Sequence, residues 1–273
     1  MADTFGYVKA NDGVRLYYDQ AGAGKTVILI HGGGLSNIWW RHNLPELAKR
    51  FHVIAPDTRG CGKSQRTPWG HRTARYAADV HELVHELGLH NVTLVGWSIG
   101  ARTCYSYLEL FGSHRLQGVV IVDETVHITV HKPPPAGTEQ RPDETDLDHQ
   151  RRSIRTMLGP SYGPVATDDE IDHLLDSRSH YDPASSTLGA DYKAQDWRPL
   201  CPAIRVPVLI AVGRHSGALP GCKYAADHIP GAYLEIFEES DHALFYSEAK
   251  KFNRLITGFV ENPLQKNLRD TSG

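Results

Sequence analysis

Short apolar runs alternate with helical hydrophobic patterns along most of this chain. Two runs near the start flank Asn11-Asp12-Gly13, a turn signal that predicts an antiparallel hairpin. Six later runs, rich in Val, Ile and Leu, have the composition of strands buried on both faces. The predicted strands are Phe5–Ala10, Val14–Asp19, Thr26–Ile30, His52–Ala55, Asn91–Val95, Leu116–Val122, Val206–Val212 and Ala232–Phe237. The pattern predicts an α/β fold with a mostly parallel, twisted, eight-stranded sheet and helices on both faces.

Helical periodicity separates several of these runs. Within Ala74–Leu87 the apolar side chains recur three and four positions apart, and Gly88 follows as a helix stop. The same pattern predicts a last helix around Phe252–Phe259, before Pro263.

The stretch from residue 126 to residue 200 departs from this rhythm. It contains Pro133-Pro134-Pro135 and an acidic run from Asp143 to Asp148, and Thr167-Asp168-Asp169-Glu170 is a capping-box start for a helix. A structureless loop of this length is uncommon inside a compact domain. We therefore expect a helical cap, residues 126–200, inserted after the sixth strand of a core that comprises residues 1–125 and 201–265. Residues 266–273 are expected to form a polar tail.

The charge balance narrows the range of partners. The 29 Lys and Arg residues against 32 Asp and Glu residues leave a net charge of −3, which excludes a polyanion binder that relies on phosphate neutralisation. No apolar run approaches the length of a membrane span, and the first residues lack the basic and apolar stretches of a signal peptide. We expect a cytoplasmic monomer or homodimer that acts on a small-molecule substrate, with neither nucleic acid nor membrane as a partner.

The spacings of cysteine and histidine do not indicate a metal centre. The 4 cysteines are widely and irregularly spaced and fit neither a disulfide framework nor a zinc site. His81 and His85 have the spacing of zinc ligands on one helix face, but no third ligand stands out, and we interpret them as structural or surface residues. We predict no metal and no organic cofactor.

Ser98 lies in a five-residue pattern with a defined chemistry. Gly96-Trp97-Ser98-Ile99-Gly100 stands between the predicted strand Asn91–Val95 and a helical stretch, Ala101–Phe111. Gly-x-Ser-x-Gly in a strand–turn–helix context is the nucleophile elbow, whose glycines avoid clashes between strand and helix. The tight turn exposes the serine oxygen at the positive end of the helix. Ser98 is therefore the predicted nucleophile.

A nucleophilic serine also requires backbone N–H groups that stabilise the oxyanion formed on the substrate. The N–H of Ile99, immediately after the nucleophile, is one predicted donor. The second is expected from the glycine-rich loop His31-Gly32-Gly33-Gly34 after the third strand, where Gly33 is our choice.

Taken together, these motifs resemble the α/β-hydrolase superfamily over nearly the whole chain. His31-Gly32 follows the third strand, Asp57-x-Arg59-Gly60-x-Gly62-x-Ser64 follows the fourth, and the elbow at Ser98 follows the fifth. A late histidine, His242, comes just after the strand that ends at Phe237. The resemblance implies that Ser98 is the nucleophile, that His242 is the general base, and that the triad acid lies between them in sequence.

The expected acid departs from the commonest pattern of that superfamily. Its members usually carry Gly-x-x-Asp-x-x-x-Pro after the seventh strand, whereas Ser216 occupies the acid's place in Gly213–Pro220. A serine hydroxyl cannot supply the required negative charge. Certain dehalogenases, zearalenone lactonases and esterases resembling non-haem haloperoxidases carry the acid after the sixth strand, where Asp123 stands here. The resemblance therefore implies Asp123 as the acid, with Glu124 as the alternative.

Serine at the elbow argues against the dehalogenases and epoxide hydrolases of this superfamily, which use aspartate there. The expected activity is hydrolysis of a carboxylic ester or lactone of a medium-sized, partly apolar molecule through an acyl-enzyme on Ser98. Alternatives on the same triad are a carbon–carbon bond hydrolase, a perhydrolase and a cofactor-free dioxygenase. A non-catalytic ligand receptor on this scaffold is a further alternative.

Substrate choice is expected to depend on the cap and on residues beside the elbow. The candidate substrate-binding residues are Gly34, Trp97 and His127, with Leu158 and Tyr162 as further positions in the cap. Packing is an equally expected role for the side chains of Trp97, His127, Leu158 and Tyr162.

Overall fold

A single twisted sheet organises the molecule. The computed structural model describes residues 4–127, 144–179 and 188–263. Its strands are β1 (Thr4–Lys9), β2 (Arg15–Ala21), β3 (Thr26–Ile30), β4 (His52–Pro56), β5 (Val92–Trp97), β6 (Leu116–Val122), β7 (Val208–Gly213) and β8 (Tyr233–Phe237). They form one eight-stranded sheet in the order β1-β2-β4-β3-β5-β6-β7-β8. Strand β2 pairs antiparallel with β1 and β4, and the other neighbours are parallel, so the predicted fold class is confirmed.

Helices cover both faces of the sheet. In the described ranges the α-helices are α1 (Leu44–Leu47), α2 (Thr73–Glu86), α3 (Ile99–Phe111), α4 (Asp146–Leu158), α5 (Asp168–Ser179), α6 (Leu188–Ala194), α7 (Leu219–His228), α8 (Leu244–Ser247) and α9 (Ala249–Glu261). Apolar residues of α1, α8 and α9 share one core cluster, and those of α2, α3 and α7 share another. None of these helices combines the length and hydropathy that a membrane span requires.

The two core clusters follow from the period of a strand. Successive side chains of a strand point to opposite faces, so a run of apolar residues serves two cores at once. In β3, Val27 and Leu29 belong to one cluster, whereas Ile28 and Ile30 belong to the other. The continuous apolar runs in the sequence are therefore strands covered by helices on both sides.

Helices also occupy the described part of the segment between β6 and β7, where the sequence predicts an insertion. They are α4, α5 and α6. The two ends of the segment meet, because His127 and Asp196 form an isolated bridge and Trp197 N–H donates to Val126 O at 3.0 Å. Residues 128–143, which include the proline run, and the predicted tail 266–273 lie outside the described residues.

The predicted capping box at Thr167 is half formed. Glu170 N–H donates to Thr167 Oγ1 at 3.2 Å, as the sequence pattern predicts. The Glu170 carboxylate does not close the box and instead accepts the hydroxyls of Tyr162 at 2.8 Å and Tyr246 at 2.9 Å. Because Tyr246 lies on α8, this carboxylate links α5 to the sheet-forming part of the chain.

Candidate active site

The turn at Ser98 has the strained geometry of a nucleophile elbow. Ser98 lies between β5 and α3 with a φ of 54° and a ψ of −120°, where side chains are rarely found. A Cβ at Gly96 would collide with the main chain of Gly100, and a Cβ at Gly100 would collide with the Ile30 carbonyl. Only glycine fits at both positions, which explains the spacing of the motif.

Ser98 remains accessible at this turn. Ser98 is half-buried, and its Oγ makes no hydrogen bond to another described residue. Its own N–H donates to Val122 O at 3.1 Å, which ties the elbow to the end of β6. The helix α3 begins at Ile99, two residues earlier than predicted, so Ser98 stands at the positive end of that helix.

Asp123 and His242 form a hydrogen-bonded pair next to this elbow. Asp123 directly follows β6, has no exposed surface and adopts a φ of 50°. His242 Nδ1 donates to Asp123 Oδ2 at 2.6 Å, and Gly213 N–H donates to Asp123 Oδ1 at 2.9 Å. With Nδ1 bound to the carboxylate, Nε2 is the ring nitrogen left for proton transfer.

The surroundings of His242 favour its charged form. Burial lowers the pKa of His242, but the hydrogen bond and the charge of Asp123 raise it, and so do the charges of Glu124 and Asp241. The net effect raises the pKa of His242 above the ordinary histidine value. An imidazole in this setting accepts a proton readily, as a general base must.

Glu124, the alternative acid, points to a different partner. Its Oε1 accepts Arg102 Nη2 at 3.2 Å and Thr125 N–H at 2.7 Å. Adjacent residues at a strand end project to opposite sides, so one of the two carboxylates meets the imidazole and the other meets the arginine. The geometry therefore favours Asp123 as the partner of His242.

Trp97 lies behind the pair rather than in an accessible pocket. Its side chain has no exposed surface, which argues against the predicted contact with substrate. The indole N–H donates to His242 O at 2.9 Å, and the two rings lie 5.3 Å apart between centroids. Trp97 thus supports the loop that carries His242. This role is not visible in the sequence, because the two residues are 145 positions apart.

The two predicted oxyanion donors are neighbours in space. A Cβ on Gly33 would lie 2.7 Å from Ile99 Cγ1 and 3.7 Å from Leu188 Cδ2. Neither the Gly33 N–H nor the Ile99 N–H donates to an acceptor on any described residue. Leu188, the first residue of α6, therefore lies beside Gly33, a contact that sequence reasoning did not identify.

His31 holds the glycine-rich loop in place. Burial lowers its pKa to about 4, although the hydrogen bond to Gly32 O opposes this change. The ring is therefore neutral near pH 7, so Nδ1–H donates to Gly32 O at 2.7 Å and Nε2 accepts Thr58 N–H at 3.0 Å. This histidine anchors the main chain from which Gly33 projects.

Two predicted substrate-binding residues are half-buried. Gly34 follows Gly33 with a φ of 69°, and His127 lies where the insertion leaves the sheet. His127 N–H approaches Thr125 Oγ1 at 3.3 Å. Contact of either residue with substrate stays a prediction. Among the described residues, no cluster of three or more His, Cys, Asp or Glu side chains forms a potential metal site.

Comparisons with known proteins agree with this architecture. A family model described as alpha/beta hydrolase fold matches residues 25–249. The chain is 26% identical over 283 residues to a non-heme haloperoxidase of Rhodococcus erythropolis, covering 94% of this chain and 99% of that protein.

Solved structures with similar folds include a bromoperoxidase from Bacillus anthracis, with a TM-score of 0.83, 24% identity, and coverage of 95% of this chain and 100% of that one. An esterase from Exiguobacterium antarcticum has a TM-score of 0.76 and 23% identity, covering 94% of this chain and 99% of that one. At such identities the two structures establish the fold alone.

Proposed function

The chain belongs to the α/β-hydrolase fold family of enzymes, and we propose that it is a serine hydrolase that cleaves a carboxylic ester or lactone. The observation that carries this proposal is the His242–Asp123 hydrogen bond of 2.6 Å beside the strained turn at Ser98. A serine, a base and a buried acid at adjoining strand ends are the groups that acyl transfer requires. The substrate of this reaction is a medium-sized, partly apolar small molecule.

In the proposed reaction Ser98 Oγ attacks the substrate carbonyl while His242 Nε2 accepts its proton. Asp123 stabilises the resulting imidazolium through Nδ1–H. His242 then protonates the departing alcohol, which leaves the acyl group bonded to Ser98. Water, activated by the same imidazole, hydrolyses this ester and restores the free serine.

The N–H groups of Gly33 and Ile99 are the proposed donors to the oxyanion. Two observations support this assignment. Gly33 and Ile99 lie next to each other, and neither N–H group donates to another described residue. Preorganised N–H donors at this position stabilise the charge that develops in the transition state.

We also propose that residues 126–200 act as a cap over this site. Leu188, at the start of α6, lies beside Gly33, and apolar residues of α4 and α5 pack in the same cluster as Trp39 and Trp97. A roof built from such residues favours an apolar portion in the substrate.

Covalent labelling tests the proposed nucleophile. A fluorophosphonate probe is expected to modify the wild-type protein at Ser98, and Ser98→Ala is expected to abolish labelling and to lower ester hydrolysis by about 10⁵-fold or more. Ser64→Ala, at a buried serine outside the proposed triad, is the matched control and is expected to label fully. Unchanged turnover in Ser98→Ala would remove the proposal.

Perhydrolysis is a second candidate, and the comparison with a haloperoxidase favours it. An acyl-enzyme can transfer its acyl group to hydrogen peroxide instead of water, which gives a peracid and free serine. Peracid formation in the presence of an ester and peroxide, lost in Ser98→Ala, would establish this second acceptor.

The proposed location is the cytoplasm, and the proposed assembly is a monomer or homodimer. The support for this location is that no disulfide joins the buried cysteines of the described residues, which are Cys61, Cys104, Cys201 and Cys222. Light scattering of the purified protein would measure the assembly.

A further inference from the structure

The segment Gly213–Ala218, which comprises the last residue of β7 and the loop after it, lies between the loops that carry Asp123 and His242. On one side, Gly213 N–H donates to Asp123 Oδ1 at 2.9 Å. On the other side, His215 N–H donates to Ser240 O at 3.2 Å, and a Cβ on Gly213 would collide with the Asp241 carbonyl. We call Gly213–Ala218 the β7 loop; it contacts Asp123 directly and contacts the loop that carries His242 at Ser240 and Asp241.

Ser216 projects from the β7 loop onto the triad carboxylate. Its Oγ lies 2.6 Å from Asp123 Oδ2, the same oxygen that His242 Nδ1 meets at 2.6 Å. Ala218 N–H donates to Ser216 Oγ at 3.0 Å, so the serine hydrogen is directed to the carboxylate, which can only accept. Ser216 is 4% exposed and Asp123 is fully buried. The contact is a charge-assisted hydrogen bond shielded from water.

Resting on the proposed function, we propose that Ser216 is a positioning residue of the triad, whose hydroxyl fixes the Asp123 carboxylate in the orientation that holds the His242 ring. An aspartate side chain has two free torsions, so a single contact leaves its carboxylate free to rotate. Here Gly213 N–H fixes one oxygen and Ser216 O–H fixes the other. Ser216 acts on the reaction through Asp123.

Helix α7, which follows the β7 loop, holds Ser216 in a fixed position. Helix α7 starts three residues after Ser216, and a Cβ on its Gly221 would collide with Thr125. Cys222 Sγ, on the same helix, donates to Glu124 O at 3.4 Å. The helix, the β7 loop and the chain after β6 are therefore packed as one unit, so the hydroxyl has a fixed place relative to Asp123.

Removing the hydroxyl has a predictable electrostatic effect. Asp123 is hydrogen-bonded to the His242 ring, the charges of Glu124 and Asp241 also raise the pKa of that ring, and the charge of His215 acts on Asp241. The Ser216 hydroxyl competes with the imidazolium for Asp123 Oδ2. Without it, that oxygen is a stronger partner for the charged ring, and the pKa of His242 rises further.

Four variants test the proposal. Ser216→Ala removes the hydroxyl, Ser216→Cys keeps the volume but supplies only a weak donor, and Ser216→Thr keeps the hydroxyl. Ser64→Ala is the control, because Ser64 is equally buried, donates to Asp57 O at 2.6 Å and lies outside the triad. The pKa of His242 is measured by NMR titration of its imidazole, which requires no turnover. Steady-state kinetics with a p-nitrophenyl ester then separate kcat from KM.

Ser216→Ala and Ser216→Cys are expected to raise the pKa of His242 by about half a pH unit and to lower kcat about tenfold with an unchanged KM. Ser216→Thr is expected to retain the wild-type pKa and kcat. If the alanine variant does not fold, the cysteine variant carries the same test.

The proposal is overturned if the alanine or cysteine variant keeps the wild-type pKa of His242 and loses only stability, as Ser64→Ala is expected to do. Failure of the proposed function would look different. In that case the wild-type protein would hydrolyse no ester, while the imidazole pKa would still respond to Ser216.

Discussion

Ser98 and Asp123 share a backbone conformation that few residues other than glycine adopt. Their φ angles are 54° and 50°, and each residue directly follows a buried strand. Such a conformation costs on the order of 1–3 kcal/mol and persists only where the surrounding structure holds it. Here paired strands hold it, because Trp97 lies opposite Val122 in the β5–β6 ladder. Strained turns at the ends of neighbouring strands thus carry two side chains of the proposed triad.

The raised pKa of His242 leads to a prediction for the pH dependence of catalysis. The imidazole must be neutral to accept the Ser98 proton, and activity is lost as the pH falls through its pKa. Because Asp123 raises that pKa, the acidic limb of kcat/KM is expected above about pH 6.5, the ordinary histidine value. Steady-state rates between pH 5 and pH 9, roughly the range in which histidine titrates, measure the limb.

The Asp123→Asn variant is compared with the wild-type protein in the same pH profile of kcat/KM. The amide removes the charge that raises the pKa of His242, so the acidic limb is expected to move to lower pH. Turnover at the plateau is expected to fall by about 10⁴-fold, because the imidazolium loses its partner. A profile that is flat down to pH 5 in the wild-type protein would contradict the role of His242.

At the scale of elements, α6 is attached to the sheet-forming part of the chain through the start of α2. Asp191 Oδ2 accepts Thr73 N–H at 2.8 Å and Thr73 Oγ1 at 2.7 Å, whereas the N-cap residue Arg72 supplies no side-chain cap. A carboxylate at a helix N-terminus also interacts favourably with the helix dipole. Since Leu188 of the same helix adjoins Gly33, the hydrogen bonds of Asp191 to Thr73 hold α6 beside one of the two proposed oxyanion donors.

Asp191→Ala is expected to loosen α6. Loss of an N-cap costs about 1 kcal/mol, so amide exchange of α6 is expected to accelerate by roughly fivefold to tenfold. Hydrogen exchange read by mass spectrometry measures this change, with peptides from β5 and β6 expected to keep wild-type protection.

Asp227→Ala is the control for that measurement, because Asp227 is an exposed aspartate on α7. It is expected to leave the exchange of α6 unchanged. Equal exchange of α6 in the Asp191 and Asp227 variants would show that the cap does not hold this helix.

At the scale of the whole molecule, the site depends on parallel strands that end at the same edge. Strands β5, β6, β7 and β8 are neighbours, and the loops after them carry Ser98, Asp123, Ser216 and His242 in that order. The carboxyl ends of parallel strands form such a crevice in open α/β sheets. The order of the strands therefore brings together residues that are distant in sequence.

This arrangement predicts that the triad acid can be moved from one strand end to the next. Ser216 Oγ lies 2.6 Å from Asp123 Oδ2, so an aspartate at position 216 would place a carboxylate oxygen near His242 Nδ1. The kcat of Asp123→Asn/Ser216→Asp is expected to be about tenfold or more above that of Asp123→Asn. This recovers a part of the roughly 10⁴-fold loss in Asp123→Asn.

Asp123→Asn/Ser216→Asn is the matched control for that recovery. It has the same shape at both positions but no carboxylate, and no recovery is expected. A folded double variant with aspartate that is no more active than Asp123→Asn would show that the β7 loop cannot present an acid to His242.

Much of the fold follows from local patterns. Periods of two and 3.6 residues identify strands and helices because they record which side chains each element buries. All eight strands lie where these patterns predict, with ends that differ by up to two residues. The start of α3 at Ile99 is missed because Ser98, in the N-cap position, has a positive φ and makes no side-chain cap hydrogen bond.

Within the candidate site, the strained turn at Ser98 is predictable because five consecutive residues define its geometry. The acid was less certain, because Asp123 and Glu124 are adjacent and chemically alike. The contact of Trp97 with His242 is not predictable, because the sequence around Trp97 carries no information about a residue 145 positions away.

The sequence by itself determined the α/β class and the elbow at Ser98, because each rests on interactions within a few residues of the chain, and its resemblance to the α/β-hydrolases supplied the candidates for base and acid. Only the tertiary structure decided that Asp123 pairs with His242 across 119 residues and that Ser216 supports it across 93. A hydrogen bond requires its two groups to lie within a few tenths of an ångström of the right distance. That placement depends on strand order and on the packing of whole elements, which no local pattern records.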